Sequence, residues 1–167
     1  MYKMEKIKVY LSARISKDAH KWNNEVCSKL KAPISVFMPQ NNNPTNILHK
    51  DLPVEVYGMD LEAMKQSDIG LLLPAYGRDC AWEVGWYSNS NKPIVVFVDS
   101  EIDWLRDWMI KGGLDFVITN NPKTWSILKK DPILKFKPII LIKQIKQLKE
   151  ELIKIHKRRV NVKANLI

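Results

Sequence analysis

The stretch IGLLLPAYGRDCAWEVGWYS, residues 69–88, joins an apolar run to a polar loop and then to the start of a helical pattern. The run Ile69–Pro74 is typical of a buried strand. Glu83 follows one short loop later and stands between Trp82 and Trp86. A buried carboxylate costs free energy unless it is paired or used, and open α/β sheets bind ligands beyond the carboxyl ends of their strands. Glu83 is therefore a candidate functional residue, and a solvent-facing Glu on a helix is the alternative.

The surroundings of Glu83 suggest a chemistry. If a helix starts near Ala81, Glu83 lies in its first turns, where the helix dipole and the free N–H groups favour a carboxylate. Trp82 and Trp86 would supply an apolar wall. An ionised carboxylate in a largely dry pocket suits a nucleophile, or an electrostatic partner for an oxocarbenium-like sugar carbon.

Apolar runs rich in β-branched residues predict five strands. They are Ile7–Leu11, Ile34–Met38, Ile69–Leu73, Ile94–Val98 and Phe116–Ile118. Helical patterns separate most of them, at Lys17–Leu30, Val54–Gln66, Ala81–Ser88 and Ile102–Lys111. Strands that alternate with helices predict βαβ units, right-handed crossovers and a parallel sheet that is covered on both faces. In the second helix, Tyr57, Leu61 and Met64 form the apolar stripe.

Two further segments complete the outline. Residues Met38–Lys50 have no periodicity and are rich in Asn and Pro, so we expect a long loop after the second strand. Near the C-terminus, Ile139–His156 predicts a long amphipathic helix. We therefore divide the chain into an α/β domain, residues 1–122, and a C-terminal extension, residues 123–167, packed on the same domain or on a partner subunit.

The basic charge of the chain lies in the C-terminal extension. From Lys123 onward there are 13 Lys and Arg residues and three acidic residues, a net charge of +10, whereas the whole chain carries +9. The basic excess is thus a property of the extension and not of the region around Glu83. A solvated helix face and tail is the favoured interpretation, and an anionic partner such as nucleic acid is the less favoured one.

Composition and residue spacing argue against several classes of protein. A chain of 167 residues with 46% hydrophobic and 27% charged residues fits one folded, soluble domain. No apolar run reaches the roughly 18 residues of a membrane span, and the N-terminus lacks a signal-peptide pattern, so we expect a cytoplasmic protein. Cys27, Cys80 and the three His residues have no metal-ligand spacing, and no P-loop or GxGxxG motif is present. We expect neither a metal nor a cofactor.

Several short motifs occur in the order and spacing of one known superfamily. They are Val9-Tyr10-Leu11-Ser12, Asp60-Leu61, Ser67-Asp68, Ala81-Trp82-Glu83-Val84-Gly85, Lys92-Pro93-Ile94 and Met109-Ile110-Lys111-Gly112. By these motifs, which cover roughly residues 6 to 118, the chain resembles the nucleoside 2-deoxyribosyltransferase superfamily. With this resemblance we expect a flavodoxin-like three-layer α/β sandwich with a five-stranded, mostly parallel sheet.

The resemblance implies roles for individual residues. Glu83 would be the nucleophile that attacks C1′ of the sugar and forms a glycosyl-enzyme intermediate. Tyr10 would orient that carboxylate by a hydrogen bond, and Asp60 would assist protonation of the leaving base. Gly85 would allow its helix to pack tightly on the sheet. The alternative interpretations are a core aromatic for Tyr10 and a helix cap or surface acid for Asp60.

The candidates for substrate binding lie at strand ends. Ser12 and Arg14 follow the first strand, and Arg78 and Asp79 lie in the loop after the third. Transferases of the superfamily usually have an Asp six residues before the Glu, but here that position is Gly77. Asp79 is the nearest acid, so either it takes over or the base is recognised differently. Arg78 could meet a phosphate or could simply be a solvated loop residue.

Asp107 and Met109, on the predicted fourth helix, are further candidates for substrate binding. Met109 begins an element that is similar to one in relatives that hydrolyse deoxynucleoside monophosphates. Asp107 stands where transferases place an Asn of a neighbouring subunit on the sugar 5′-hydroxyl, and where those hydrolases place a Ser on the phosphate. Because a carboxylate accepts a hydrogen bond from a hydroxyl and repels a phosphate, we give Asp107 more weight than Arg78.

The predicted function is transfer of a 2-deoxyribosyl group between nucleobases by a double displacement through Glu83. The partner is a small-molecule nucleoside or nucleotide, and a homodimer or higher homo-oligomer would share active sites. The first alternative is hydrolysis of the N-glycosidic bond of a nucleoside or its 5′-monophosphate on the same residues. The others are a non-catalytic nucleotide-binding or signalling module and a nucleic-acid binder that uses the basic extension.

Overall fold

A computed structural model describes residues 6–42, 52–74, 76–100 and 107–164, with side chains as far as Arg158 and without that of Leu52. In chain order the elements are β1 (Ile7–Ser12), α1 (Lys17–Lys29), β2 (Ile34–Phe37), α2 (Pro39–Asn42), α3 (Leu52–Gln66), β3 (Ile69–Leu72), α4 (Arg78–Asn89), β4 (Ile94–Val98), α5 (Trp108–Gly113), β5 (Phe116–Thr119), α6 (Pro122–Leu128), β6 (Ile139–Leu141) and α7 (Leu148–Ala164). Short 3₁₀ turns at Leu134–Phe136 and Ile145–Gln147 flank β6.

The described strands form one parallel sheet in the order β2-β1-β3-β4-β5-β6. Successive strand residues point to opposite faces of a sheet, so each strand contributes to two core layers. Val9 and Leu11 pack with α1 and α7 on one face, whereas Tyr10 packs with α3 and α4 on the other. The expected three-layer α/β sandwich is confirmed, with six strands instead of five.

The sixth strand lies in the segment that the sequence assigned to a long helix. Ile139 pairs with Val117 of β5, and the helix α7 begins only at Leu148. The error has a physical cause: Ile142, Ile145 and Leu148 continue the spacing of the helical stripe backward, while the strand is only three residues long. Leu148, Leu152 and Ile155 of α7 are buried in the core of the same chain.

Parts of two predicted segments lie outside the described residues. Within the expected loop Met38–Lys50, residues 39–42 form the short helix α2, and residues 43–50 are not described. Of the helix expected at Ile102–Lys111, the described part is α5, which begins at Trp108. No helix in the described part of the chain is long and apolar enough to cross a membrane.

The tight packing expected at Gly85 is found at another glycine. A Cβ added at Gly85 would meet no atom within 4 Å, because this face of α4 is exposed. The prediction for Gly85 was therefore wrong. At Gly70 of β3, an added Cβ would lie 2.7 Å from Ile94 Cδ1 and 2.8 Å from Tyr87 Cε2. The close approach of α4 to the sheet thus depends on Gly70, beneath the ring of Tyr87.

The two glycines give a matched pair for a stability test. Gly70→Ala should destabilise the protein by about 1–3 kcal/mol, because overpacking forces buried neighbours to move. Gly85→Ala should be neutral or stabilise by up to about 1 kcal/mol, because alanine favours a helix where there is room for its methyl group. Urea unfolding of both variants measures the difference, and equal stabilities would contradict this description of the packing.

Candidate active site

A pocket of about 590 Å³ opens between α3 and α4 at the carboxyl end of β1. Its polar lining includes Glu83, Asp60, Asp79 and Arg14, and Tyr10 forms part of its base. The apolar part of the lining is Ala13, Ile15, Pro39, Pro53, Val56, Tyr57, Leu61, Met64 and Trp82. A larger groove of about 860 Å³ runs along β2 and α3 but contains none of these polar residues. We therefore place the chemistry in the smaller pocket.

Glu83 is held by two hydroxyl groups of the central strand. Tyr10 Oη donates to Glu83 Oε1 at 2.6 Å, and Ser12 Oγ donates to Glu83 Oε2 at 2.5 Å. The two donors are two residues apart on β1, so the pleat of the strand points both toward α4. All three side chains are buried, with Glu83 only 9% exposed. The carboxylate is thereby fixed in position before any ligand arrives.

Opposing effects act on the charge of Glu83. Burial raises the pKa of Glu83 and is the largest influence, whereas the hydrogen bonds from Ser12 and Tyr10 lower it and the charge of Asp79 raises it. The helix dipole that the sequence suggested is a minor influence, because Glu83 is the sixth residue of α4 and the effect fades after the first turn. Burial next to Glu83 also raises the pKa of Tyr10, which keeps that hydroxyl a donor.

Asp60 faces the same pocket from α3. Its Oδ1 atom is buried and has no hydrogen-bond partner among the described residues. Burial, followed by the charges of Glu83 and Asp79, raises the pKa of Asp60 to about 6. A carboxyl group with this pKa exchanges its proton close to neutral pH, as a general acid or base requires.

The other candidates fall into two groups. Arg14 and Asp79 line the pocket, and Arg14 Nη1 lies 3.8 Å from Asp18 Oδ2 in an exposed ion pair. Arg78 is exposed and does not line this pocket. Asp107 and Met109 also lie outside it.

Asp107 and Met109 lie at the start of α5. Asp107 Oδ2 accepts a hydrogen bond from Tyr76 Oη, and Met109 is 89% exposed. In one chain, therefore, the structure brings Glu83, Tyr10, Ser12, Asp60, Asp79 and Arg14 together and leaves Arg78, Asp107 and Met109 apart.

Sequence reasoning missed an aromatic pair at the pocket. Tyr57 of α3 and Trp82 of α4 are 57% and 51% exposed, and their ring centroids are 6.2 Å apart. Tyr57 was placed on an apolar helical stripe together with Leu61 and Met64, and this stripe lines the pocket. Asp60, three residues after Tyr57, could have indicated that this face of the helix borders a pocket, because a carboxylate is rarely buried in a core. Of the two tryptophans expected beside Glu83, Trp86 does not line the pocket and packs on Tyr87.

The described residues show neither a thiolate at Cys80 nor a metal-binding cluster. Cys80 lines the pocket, but burial raises the pKa of its thiol to about 12, so it is not a thiolate at neutral pH. In the described residues no group of three or more His, Cys, Asp or Glu side chains is placed to hold a metal ion.

The raised pKa of Asp60 predicts a pH-dependent stability. The folded state binds this proton more tightly than the unfolded chain, whose pKa is near 3.8. The resulting stabilisation is complete below about pH 4 and is lost as the pH rises through about 6. Asp60→Asn should therefore gain roughly 1 kcal/mol relative to wild type between about pH 4 and about pH 7, a figure reduced to allow for solvent at this half-buried group. Urea unfolding at both pH values tests this, and a constant difference would contradict it.

Comparisons with known proteins identify the family of the chain. A family model described as nucleoside 2-deoxyribosyltransferase like matches residues 6–101, the part of the chain that holds Tyr10, Asp60 and Glu83. A comparison with the sequences of curated proteins gives no match.

Two solved structures share the fold. One is a 2-deoxyribosyltransferase from the psychrotolerant bacterium Bacillus psychrosaccharolyticus, with a TM-score of 0.55 and 19% identity over 81% of this chain and 99% of that chain. The other is a conserved protein from Enterococcus faecalis V583, with a TM-score of 0.53 and 18% identity over 92% of this chain and 99% of that chain. At these identities the likeness shows the fold alone. The family model, which matches more than half of the chain, shows that the protein belongs to the nucleoside 2-deoxyribosyltransferase-like family.

Proposed function

We propose that the protein transfers a 2-deoxyribosyl group from one nucleobase to another through a covalent intermediate on Glu83. The observation that carries this proposal is the buried Glu83 carboxylate, which receives hydrogen bonds from Tyr10 and Ser12 and borders a pocket. Hydroxyl donors favour the ionised form of Glu83 against the burial that raises its pKa, and they fix the direction of the carboxylate. A fixed, poorly solvated carboxylate is suited to attack on an electrophilic sugar carbon.

The first half of the reaction breaks the glycosidic bond. A Glu83 oxygen attacks C1′, a C1′–O bond forms, and the C1′–N bond breaks with its electron pair leaving on the base. Asp60 supplies the proton that the base needs, and its pKa of about 6 places that proton within reach at neutral pH. The sugar remains as a glycosyl ester of Glu83.

The second half reverses these steps with a different base. A ring nitrogen of the incoming base attacks C1′, its proton passes to Asp60, and the Glu83 carboxylate is released. Tyr10 and Ser12 stay hydrogen-bonded to Glu83 throughout, so we assign both as positioning residues. If water enters in place of the base, the same machinery hydrolyses the nucleoside.

Variants of the Glu83 cluster test the mechanism. Glu83→Gln should reduce turnover below detection, because the amide keeps the shape of the side chain but is not a nucleophile. Tyr10→Phe should lower kcat by roughly 10- to 100-fold, since it removes one donor that orients the carboxylate. Measurement of the release of free base from a deoxynucleoside gives both rates.

Two controls match these variants. Glu25→Gln changes an exposed residue of α1, and Tyr87→Phe removes a buried hydroxyl that is bonded to Ser67; both should retain turnover. Turnover of Glu83→Gln within about tenfold of wild type would show that Glu83 is not the nucleophile. Equal effects of Tyr10→Phe and Tyr87→Phe would show that the hydrogen bond from Tyr10 Oη to Glu83 makes no specific contribution to catalysis.

The charge of the pocket predicts a preference for nucleosides over their 5′-monophosphates. Glu83, Asp60 and Asp79 are acidic, and Arg14 is the one basic residue of the pocket among the described residues. Like charges about 4 Å apart at an effective dielectric constant near 20 repel by about 4 kcal/mol, and even a quarter of this gives a several-fold preference. We expect higher kcat/KM for deoxynucleosides, and a wider gap in Arg14→Gln.

A substrate panel measures this preference. Each deoxynucleoside and each 5′-monophosphate is incubated with and without a second free base, and the products are separated by chromatography. A new nucleoside that forms only with added base supports transfer, whereas free sugar at an equal rate with and without base indicates hydrolysis. A preference for monophosphates would contradict the charge argument.

We also propose that neighbouring subunits share the site. Trp108 and Met109 at the start of α5 are 70% and 89% exposed, and Asp107 precedes them. By family resemblance this element lies over the pocket of a neighbour. Mixing inactive Glu83→Gln with a weakened Asp107→Ala variant should then restore some activity. Absence of restored activity, when subunit exchange has been shown by mass spectrometry, would argue against sharing.

A further inference from the structure

Part of the pocket is lined by backbone that belongs to no strand or long helix. This loop wall consists of residues 13–15, which follow β1, and Pro39, the first residue of the short helix α2. Residues 13–15 lie in neither a helix nor a strand. Segments without a ladder of backbone hydrogen bonds open locally at low cost in free energy. The shape of the pocket therefore depends on what holds the loop wall.

Asn23 of α1 connects the two parts of the loop wall. Its side chain is only 2% exposed. Nδ2 donates to the backbone oxygen of Arg14 at 2.9 Å and to Oε1 of Gln40, the neighbour of Pro39, at 2.7 Å. Gln40 Nε2 donates in turn to Asn24 Oδ1 at 3.0 Å. A side-chain amide has two N–H donors, and in Asn23 both are used to tie the loop to α2.

His20 holds the next carbonyl group of the same loop. Its ring atom Nε2 lies 2.7 Å from the backbone oxygen of Ile15. Because a carbonyl oxygen only accepts, Nε2 carries the proton in this contact. His20 and Asn23 are three residues apart and share one face of α1. Two successive carbonyl groups of the loop are thus bound by two side chains of one helix.

The residues that hold Glu83 are themselves held in another way. Ser12 pairs with Leu72 of β3, and its backbone oxygen accepts from Leu73 N at 2.9 Å. Tyr10 likewise lies within the sheet, between β2 and β3. The sheet therefore fixes the donors to Glu83, whereas α1 fixes the loop wall. A change on α1 can loosen the wall and leave the Glu83 cluster in place.

From these contacts we infer that Asn23 and His20 are positioning residues that keep the loop wall in its substrate-binding form. They act on binding of the substrate and not on the chemical step. The inference rests on the proposed function, since it takes the pocket as the substrate site. If the wall is in place in only a fraction of the molecules, the apparent affinity falls by that fraction, while the molecules that have bound substrate react as before.

Two neighbouring asparagines provide a matched pair for a kinetic test. Asn23→Asp and Asn24→Asp add the same charge, but only the first removes donors, because Asn24 accepts from Gln40 and an Asp there still can. For Asn23→Asp we expect KM for a deoxynucleoside to rise about 5- to 30-fold. Its kcat should stay within about threefold of wild type. Asn24→Asp should resemble wild type in both parameters.

Variants of His20 test the second contact independently, also where Asn23→Asp proves unable to fold. His20→Leu removes the donor to Ile15 and should raise KM. His20→Gln should restore most of the affinity, because the amide nitrogen of Gln can donate from a similar position. Thermal unfolding of each variant checks that it is folded.

Trypsin gives a readout that needs no turnover. It cleaves after Arg14, whose side chain is half exposed, and it attacks the carbonyl group that Asn23 binds. Cleavage of a native loop follows the population of its open form. We expect cleavage after Arg14 to be about 5- to 30-fold faster in Asn23→Asp and unchanged in Asn24→Asp. Cleavage after the buried Lys111 reports general unfolding, and mass spectrometry of the fragments quantifies both.

The outcomes separate this inference from the proposed function. Faster cleavage after Arg14 in Asn23→Asp, in a protein that turns over no nucleoside, would support the hold on the loop wall and reject the transfer activity. Equal KM values of Asn23→Asp and Asn24→Asp, or a kcat that falls as far as KM rises, would overturn the inference. Cleavage after Arg14 that rises only in step with cleavage after Lys111 would overturn it as well, and equal KM values of His20→Leu and His20→Gln would exclude His20.

Discussion

The hydrogen bonds from Tyr10 and Ser12 to Glu83 tie the central strand β1 to helix α4, and the rest of the site is arranged around them. A carboxylate this deeply buried costs several kcal/mol of desolvation unless donors compensate for it. The two hydroxyls supply that compensation from residues i and i+2 of one strand. They also aim both carboxylate oxygens, so the stability of the site and its geometry have the same origin.

The parallel sheet places the partners of this cluster. Because β1 and β3 are adjacent and parallel, α4, which follows β3, starts beside the end of β1. Gly70 on β3 leaves room for the ring of Tyr87, and α4 can then lie close to the sheet. Helix α3 lies on the same face of the sheet as α4, across the pocket from it, and contributes Asp60 to the pocket that contains Glu83. The pocket is thus the gap between two helices above the central strands, where open α/β sheets bind their ligands.

The sequence predicts the parts of this arrangement that follow from local pattern. Strands such as Ile94–Val98 are continuous β-branched runs, and Glu83 is conspicuous as a carboxylate just beyond a strand. The partnership of Tyr10 with Glu83 was implied only by family resemblance, because 73 residues separate the two. Strand β6 was missed, since a three-residue strand gives too little pattern to compete with a helical stripe that runs through it.

Two residues lie in surroundings that the sequence did not indicate. Tyr57 was placed only on an apolar stripe, because helical spacing shows which residues share a face but not what that face meets. The tight contact expected at Gly85 followed from the family resemblance. Tyr57 lines a pocket, and Gly85 is exposed. The amphipathic pattern of α3 is the same whether its apolar stripe covers a sheet or borders a ligand site. Only the placement of α4 opposite α3 distinguishes the two.

The central claim is that Glu83 carries the sugar during the reaction, and a mass measurement tests it most directly. The protein is mixed with a deoxynucleoside, quenched in acid within the first turnover and digested, and the peptides are sequenced by tandem mass spectrometry. We expect the added mass of one 2-deoxyribosyl group on Glu83, and we expect this mass to be lost when a free base is added before the quench. Turnover with no adduct at Glu83, or with an adduct on another residue, would contradict it.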